Sequence, residues 1–76
     1  MSNSATRKVK TVTVADRIVA ARKKLEISDA ELARRLDVTR STVFDWVHGV
    51  HEPNLESLRR LAGVLECTVS DLLGES

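Results

Sequence analysis

The sequence predicts an all-α protein, a compact five-helix bundle. Apolar residues recur at intervals of three and four from residue 14 almost to the end. Each periodic stretch is preceded by Thr, Ser or Asn, side chains that accept from the free N–H groups of a helix start. The stretches are separated by only a few residues, as in bundles of antiparallel neighbours. At 76 residues there is room for one domain. Its 42% hydrophobic and 30% charged side chains make an ordinary globular mixture. A core this small supplies about 3–5 kcal/mol, so tight packing or self-association is expected.

The first helix opens at Thr13, with Asp16 three residues on as the reciprocal half of a capping box. Val14, Ile18, Ala21 and Leu25 form its apolar stripe. Ser28 and Glu31 predict a second capping box, followed by Leu32, Ala33 and Leu36. Thr39 caps a third helix that buries Val43, Trp46 and Val47 and ends at Gly49. Pro53 and Asn54 lead into a fourth, where Leu55, Leu58, Leu61, Ala62 and Leu65 make the buried arc. Val64 points away from that arc. Thr68 and Asp71 start a short fifth helix with Val69, Leu72 and Leu73, closed by Gly74. Residues 1–12 lack periodicity and read as a flexible basic arm, with the domain at 13–76.

Charge is unevenly spread. Residues 1–24 hold seven basic side chains and one acid, whereas residues 61–76 hold three acids and no base. A polyanion is therefore drawn to the first third of the chain. No apolar run approaches the ~20 residues of a membrane span, and no apolar signal core opens the chain. These features predict a soluble cytoplasmic protein.

The segment 28–49 carries the most information. Two short helices are joined by about three residues, 37–39. Ala33 is small enough for a close crossing, Asp37 tolerates a left-handed turn, and Val38 can plug it from below. This spacing predicts a helix-turn-helix with its second helix projecting outward. Residues 14–73 resemble the lambda-repressor-like (Cro/repressor-type) helix-turn-helix family. The match lies in Leu32, Ala33, Leu36, Val38, Thr39, Ser41, Thr42, Val43, Trp46 and Gly49, and continues through Pro53, Leu55, Glu56, Leu58, Leu61, Ala62, Leu65, Val69, Leu72 and Leu73. The resemblance implies five helices, sequence-specific binding of double-stranded DNA, usually as a homodimer, and regulation of transcription, here as a repressor.

Independently of the resemblance, a wheel at ~100° per residue sets Ser41, Asp45 and His48 opposite Val43, Trp46 and Val47. The resemblance places base contacts at Arg40, Ser41, Phe44 and Asp45, and backbone contacts at Thr39 and Thr42. In chemical terms Arg40 can grip guanine O6 and N7, Asp45 can accept from cytosine N4, and Phe44 can meet a thymine methyl. Arg17, Arg22, Lys24, Ser28 and His48, with Arg7, Lys8 and Lys10 of the arm, are further candidates for phosphate. Where the family often has Gly, this chain has Glu26, Asp37 and Glu66. Asp29 replaces a Gln that often meets phosphate, and an acid there is repulsive. Val47 replaces a Glu that often partners an Arg of the first helix, which releases Arg22 for solvent or phosphate. Val50 and Val64, both apolar and spare, are expected at a dimer contact. Arg34 and Arg35 on the second helix either meet phosphate or solubilise their helix, whereas Arg59 and Arg60 on the fourth are expected only to solubilise theirs.

Other chemistry is excluded by spacing. One cysteine allows neither a disulfide framework nor a multi-cysteine zinc site. His48 and His51 are three apart but lack supporting ligands. There is no nucleophile with a base at a plausible spacing, and no glycine-rich phosphate loop. The expectation is therefore no enzyme, cofactor, metal or small-molecule ligand. The alternative function is a protein-interaction module that keeps the fold and reassigns its surface, favoured by Asp29, Asp45 and Glu52 near the expected DNA face.

Overall fold

The computed structural model describes residues 12–75. They form five helices: α1 (Val14–Lys24), α2 (Asp29–Leu36), α3 (Arg40–Val47), α4 (Leu55–Leu65) and α5 (Val69–Leu73). The basic arm residues Arg7, Lys8 and Lys10 lie outside the described residues.

All five helices start by one rule. Thr13, Ser28, Thr39, Asn54 and Thr68 each sit in extended backbone and accept, through the side chain, from the N–H three residues on. The expected reciprocal boxes form at Thr13–Asp16 and Thr68–Asp71. At Ser28 only half forms. Ser28 Oγ accepts from Glu31 N at 3.0 Å, but the Glu31 carboxylate turns along the helix to Arg34 and Arg35 instead. Two guanidinium partners outbid one backbone N–H.

The helices also stop by one rule. Glu26, Asp37, Gly49, Glu66 and Gly74 adopt left-handed backbone, with φ between 58° and 77°. In each case the next N–H bonds five residues back: Ile27 to Arg22, Val38 to Ala33, Val50 to Asp45, Cys67 to Ala62 and Glu75 to Ser70. This Schellman closure satisfies carbonyls that would otherwise be orphaned and reverses the chain within three residues. Ile27, Val38 and Cys67, the residues just past three of the stops, then pack onto the core.

The core draws on every helix. Ile18, Leu32, Leu36, Val43, Leu61 and Leu72 are fully buried, and Trp46, Leu58 and Leu65 nearly so. Ala33, 3% exposed, is part of the core, and α2 packs against α3. α1 touches α3, α4 and α5, so it braces the helix-turn-helix from behind. Two apolar assignments change. Leu55, expected in the buried arc, is 54% exposed because it occupies the first turn of α4, beyond the edge of the core. Val64, expected to be spare, packs half-buried against the core. Val50, the other residue expected at a dimer contact, is 57% exposed.

Three of the left-handed stops carry acids, and among the described residues none of these carboxylates has an ion-pair partner. Left-handed backbone costs a non-Gly residue about 1–2 kcal/mol, less for Asp, and part of that is returned in the unfolded chain when Gly is introduced. Glu66→Gly is expected to stabilise the domain by about 1 kcal/mol and Asp37→Gly by about half as much. Thermal melts check this, at roughly 4–8 °C per kcal/mol for a chain of this size. A fall in melting temperature for Glu66→Gly would contradict it.

Candidate nucleic-acid interface

α3 presents most of the face that the wheel predicts, but Val47, expected to be buried, is only half-buried at the edge of the core. Val43 and Trp46 are buried, while Arg40, Ser41, Phe44 and His48 are exposed and Thr42 and Asp45 are half-buried. Phe44 is 53% exposed, an unusual position for a large aromatic side chain. The helix start is doubly fixed: Thr39 Oγ1 accepts from Thr42 N at 3.1 Å and lies 2.9 Å from Thr42 Oγ1. Arg40, Ser41, Phe44 and Asp45 line one open cleft of about 410 Å³, together with Asp29 from the start of α2. The four residues singled out for base edges thus share one surface.

Asp29 is not a bare acid. Its Oδ1 meets Arg22 Nε at 2.8 Å, an ion pair in which both atoms are shielded from solvent. Arg22 Nη1 also donates to the Ile27 carbonyl at 2.6 Å. The expectation that Arg22 is released for solvent or phosphate is thereby corrected. With no acid at residue 47, its guanidinium turns to Asp29, pins the loop between α1 and α2, and offsets the charge that would repel a phosphate.

Other basic residues are also engaged. Glu31 accepts from Arg34 Nη2 at 2.6 Å and from Arg35 Nε at 2.7 Å. Arg60, expected only to solubilise α4, donates from Nη2 to the Leu36 carbonyl and so ties α4 to the end of α2. No spacing in the sequence marks this contact, which joins residues 24 apart. Arg17 and Lys24 line a different groove, with Leu65, Cys67 and Asp71. The Arg17 guanidinium lies against the Gly74 turn, 2.6 Å from where a Cβ would stand. Burial and the neighbouring Asp71 carboxylate push the Cys67 thiol up from its ordinary value. Ser28 is exposed and occupied as the cap of α2.

The two histidines part company. His48 stacks on Phe44, ring centroids 3.9 Å apart and planes 24° apart, with its Nδ1 2.9 Å from the Phe44 carbonyl oxygen. His51 Nδ1 lies 3.2 Å from Asp45 Oδ2. Helical spacing gave no sign of the second pair, because it crosses the left-handed turn at Gly49.

Five capped helices, a three-residue turn and an outward helix with an open polar cleft define a helix-turn-helix domain. The chain belongs to the helix-turn-helix family, whose pattern it matches over residues 18–72. It is 34% identical over 64 residues to the immunity repressor protein of Bacillus phage phi105, covering 84% of this chain and 44% of that protein. It is 36% identical over 63 residues to repressor protein C2 of Salmonella phage P22, covering 83% of this chain and 29% of that protein. The chain thus spans less than half the length of either relative. It also resembles the crystal structure of the P22 c2 repressor protein in complex with synthetic operator 9T, in the presence of Tl+. That likeness has a TM-score of 0.80 at 35% identity and covers 87% of this chain and all of that one.

The two guanidinium groups on Glu31 hold its carboxyl at about 2, far below the ordinary 4.5. A carboxylate depressed by folding contributes stability above its unfolded value, and that contribution is lost as pH falls through the folded value. A carbon-detected NMR titration is expected to place the Glu31 midpoint near 2 in the parent and clearly higher in a variant with Arg34→Ala and Arg35→Ala. An unchanged midpoint in that variant would dismiss the pairing.

Proposed function

We propose that this chain is the operator-reading domain of a transcriptional repressor, binding double-stranded DNA as a homodimer on a palindromic or nearly palindromic site. The observation that carries the reading is the cleft on α3, where Arg40, Ser41, Phe44 and Asp45 stand together on an outward helix. A helix presented this way fits the major groove. The likeness to the P22 c2 repressor in complex with a synthetic operator supports it. Arg40, Ser41, Phe44 and Asp45 contact bases. Thr39, Thr42, Ser28 and Lys24 meet the sugar-phosphate backbone, helped by Arg7, Lys8 and Lys10. Arg22 and His48 serve mainly to hold the loop and Phe44 in place. Two copies of α3 about 34 Å apart enter successive major grooves. The protein acts by occupying DNA in the cytoplasm, with no catalytic step. Among the described residues no helix is long and apolar enough to cross a membrane.

Val50 supports the dimer. Its counterparts past three other stops are packed on the core, whereas Val50 stands in solvent. Val50→Asp is expected to lower the sedimenting mass at matched concentration with the melting temperature unchanged. A strictly monomeric parent at high concentration, free and on DNA, would remove the dimer.

Selection from random duplex DNA at two salt concentrations tests the whole reading. The expected outcome is a symmetric site whose occupancy falls steeply with salt in proportion to the phosphates contacted. Arg40→Ala is expected to cost about 1–3 kcal/mol and relax preference at one base pair per half-site. No enriched sequence, together with a salt-insensitive protein partner on the same cleft, would favour the protein-interaction module to which Asp29 and Asp45 lend themselves.

A further inference from the structure

The turn after α3 does more than end the helix. Val50 N and His51 N both donate to the Asp45 carbonyl, at 2.8 and 3.3 Å, which brings the chain back across the last turn. The His51 ring is set beside the Asp45 carboxylate, Nδ1 facing Oδ2 at 3.2 Å. Asp45 Oδ2 is held from the loop side. Its other oxygen, Oδ1, has no partner among the described residues, and Asp45 itself lines the cleft with Arg40, Ser41 and Phe44.

Building on the DNA-binding reading above, we propose that His51 is a specificity-determining residue, which holds Asp45 so that Oδ1 is a fixed acceptor for the exocyclic amine of cytosine. His51 touches no base. It is a positioning residue, and the chemistry belongs to Asp45. An ionised carboxylate is acceptor-only, so it is satisfied by cytosine N4 and repelled by the acceptor atoms of guanine and thymine. At adenine it meets the N7 acceptor beside the N6 amine, which a fixed Oδ1 cannot avoid. That discrimination is full only when the carboxylate cannot swing away from the wrong base. A side chain already ordered by a neighbour also loses less entropy on binding. The N–H at Oδ2 further draws negative charge away from the phosphates that flank the groove.

The test uses the whole chain and the operator found by selection, with all four base pairs placed in turn at the position where Asp45→Ala abolishes preference. His51→Ala is expected to reduce the preference for cytosine there about fivefold, a typical coupling between touching groups. Discrimination at the Arg40 base pair stays unchanged. His51→Asn, whose amide N–H takes the place of Nδ1–H, is expected to keep the preference. In an Asp45→Ala background, His51→Ala is expected to have no further effect. Full preference retained in His51→Ala overturns the proposal, and so does an equal loss at every base pair, which would make His51 a phosphate contact. A second readout needs no DNA: long-range 1H–15N spectra of the free protein are expected to show a proton on His51 Nδ1 that moves to Nε2 in Asp45→Ala. If a sequence is selected but Nδ1 carries no proton, the role of His51 alone falls. If the Nδ1 proton is seen but no sequence is selected, the DNA-binding reading falls and the proposal with it.

Discussion

The left-handed stop is the constraint on which this domain depends. An α-helix of eight residues leaves as many unsatisfied carbonyls at its end as it makes internal bonds, so a short helix is only as good as its closure. Here every helix is closed within two residues of its end by the same pair of bonds. The chain can therefore turn at once, and the residue beyond the turn drops onto the core at Ile27, Val38 and Cys67. At Asp37 this economy produces the close approach of α2 and α3, with Ala33 of α2 buried in the core. The outward placement of α3 follows from that turn and from the burial of Val43 and Trp46.

A second layer of contacts fixes the surroundings of α3. Arg22 ties the α1–α2 loop to the start of α2 through Ile27 and Asp29, and Arg60 ties the end of α2 to α4. Both replace long flexible side chains in solvent with fixed links between elements, and Arg22 in addition pairs its charge with Asp29. The consequence is electrostatic. The cleft beside α3 keeps Arg40 as its cation, with one acid neutralised by Arg22 and another attended by His51.

Much of this was legible in the residues. The five caps, the left-handed turn at Asp37 and the outward set on α3 follow from rules that act within a few positions of the chain, whereas only the resemblance, through its frequent Gly, marks Glu26 and Glu66. What escaped depends on contacts between elements or across turns. Leu55 reads as buried because a wheel ignores where a helix leaves the core, and Val64 reads as spare for the converse reason. Arg60 reaching Leu36 has no local signature. Arg22 reads as free when only the missing acid at residue 47 is considered, whereas Asp29 stands within its reach. His51 beside Asp45 requires knowing the path of the chain beyond Gly49.

The three acids at helix ends also have a genetic meaning. Every Glu or Asp codon becomes a Gly codon through one adenine-to-guanine transition. Glu26, Asp37 and Glu66 are thus each a single nucleotide away from the residue best suited to their backbone. By that route a lineage under heat stress would reach a sturdier domain without touching the cleft.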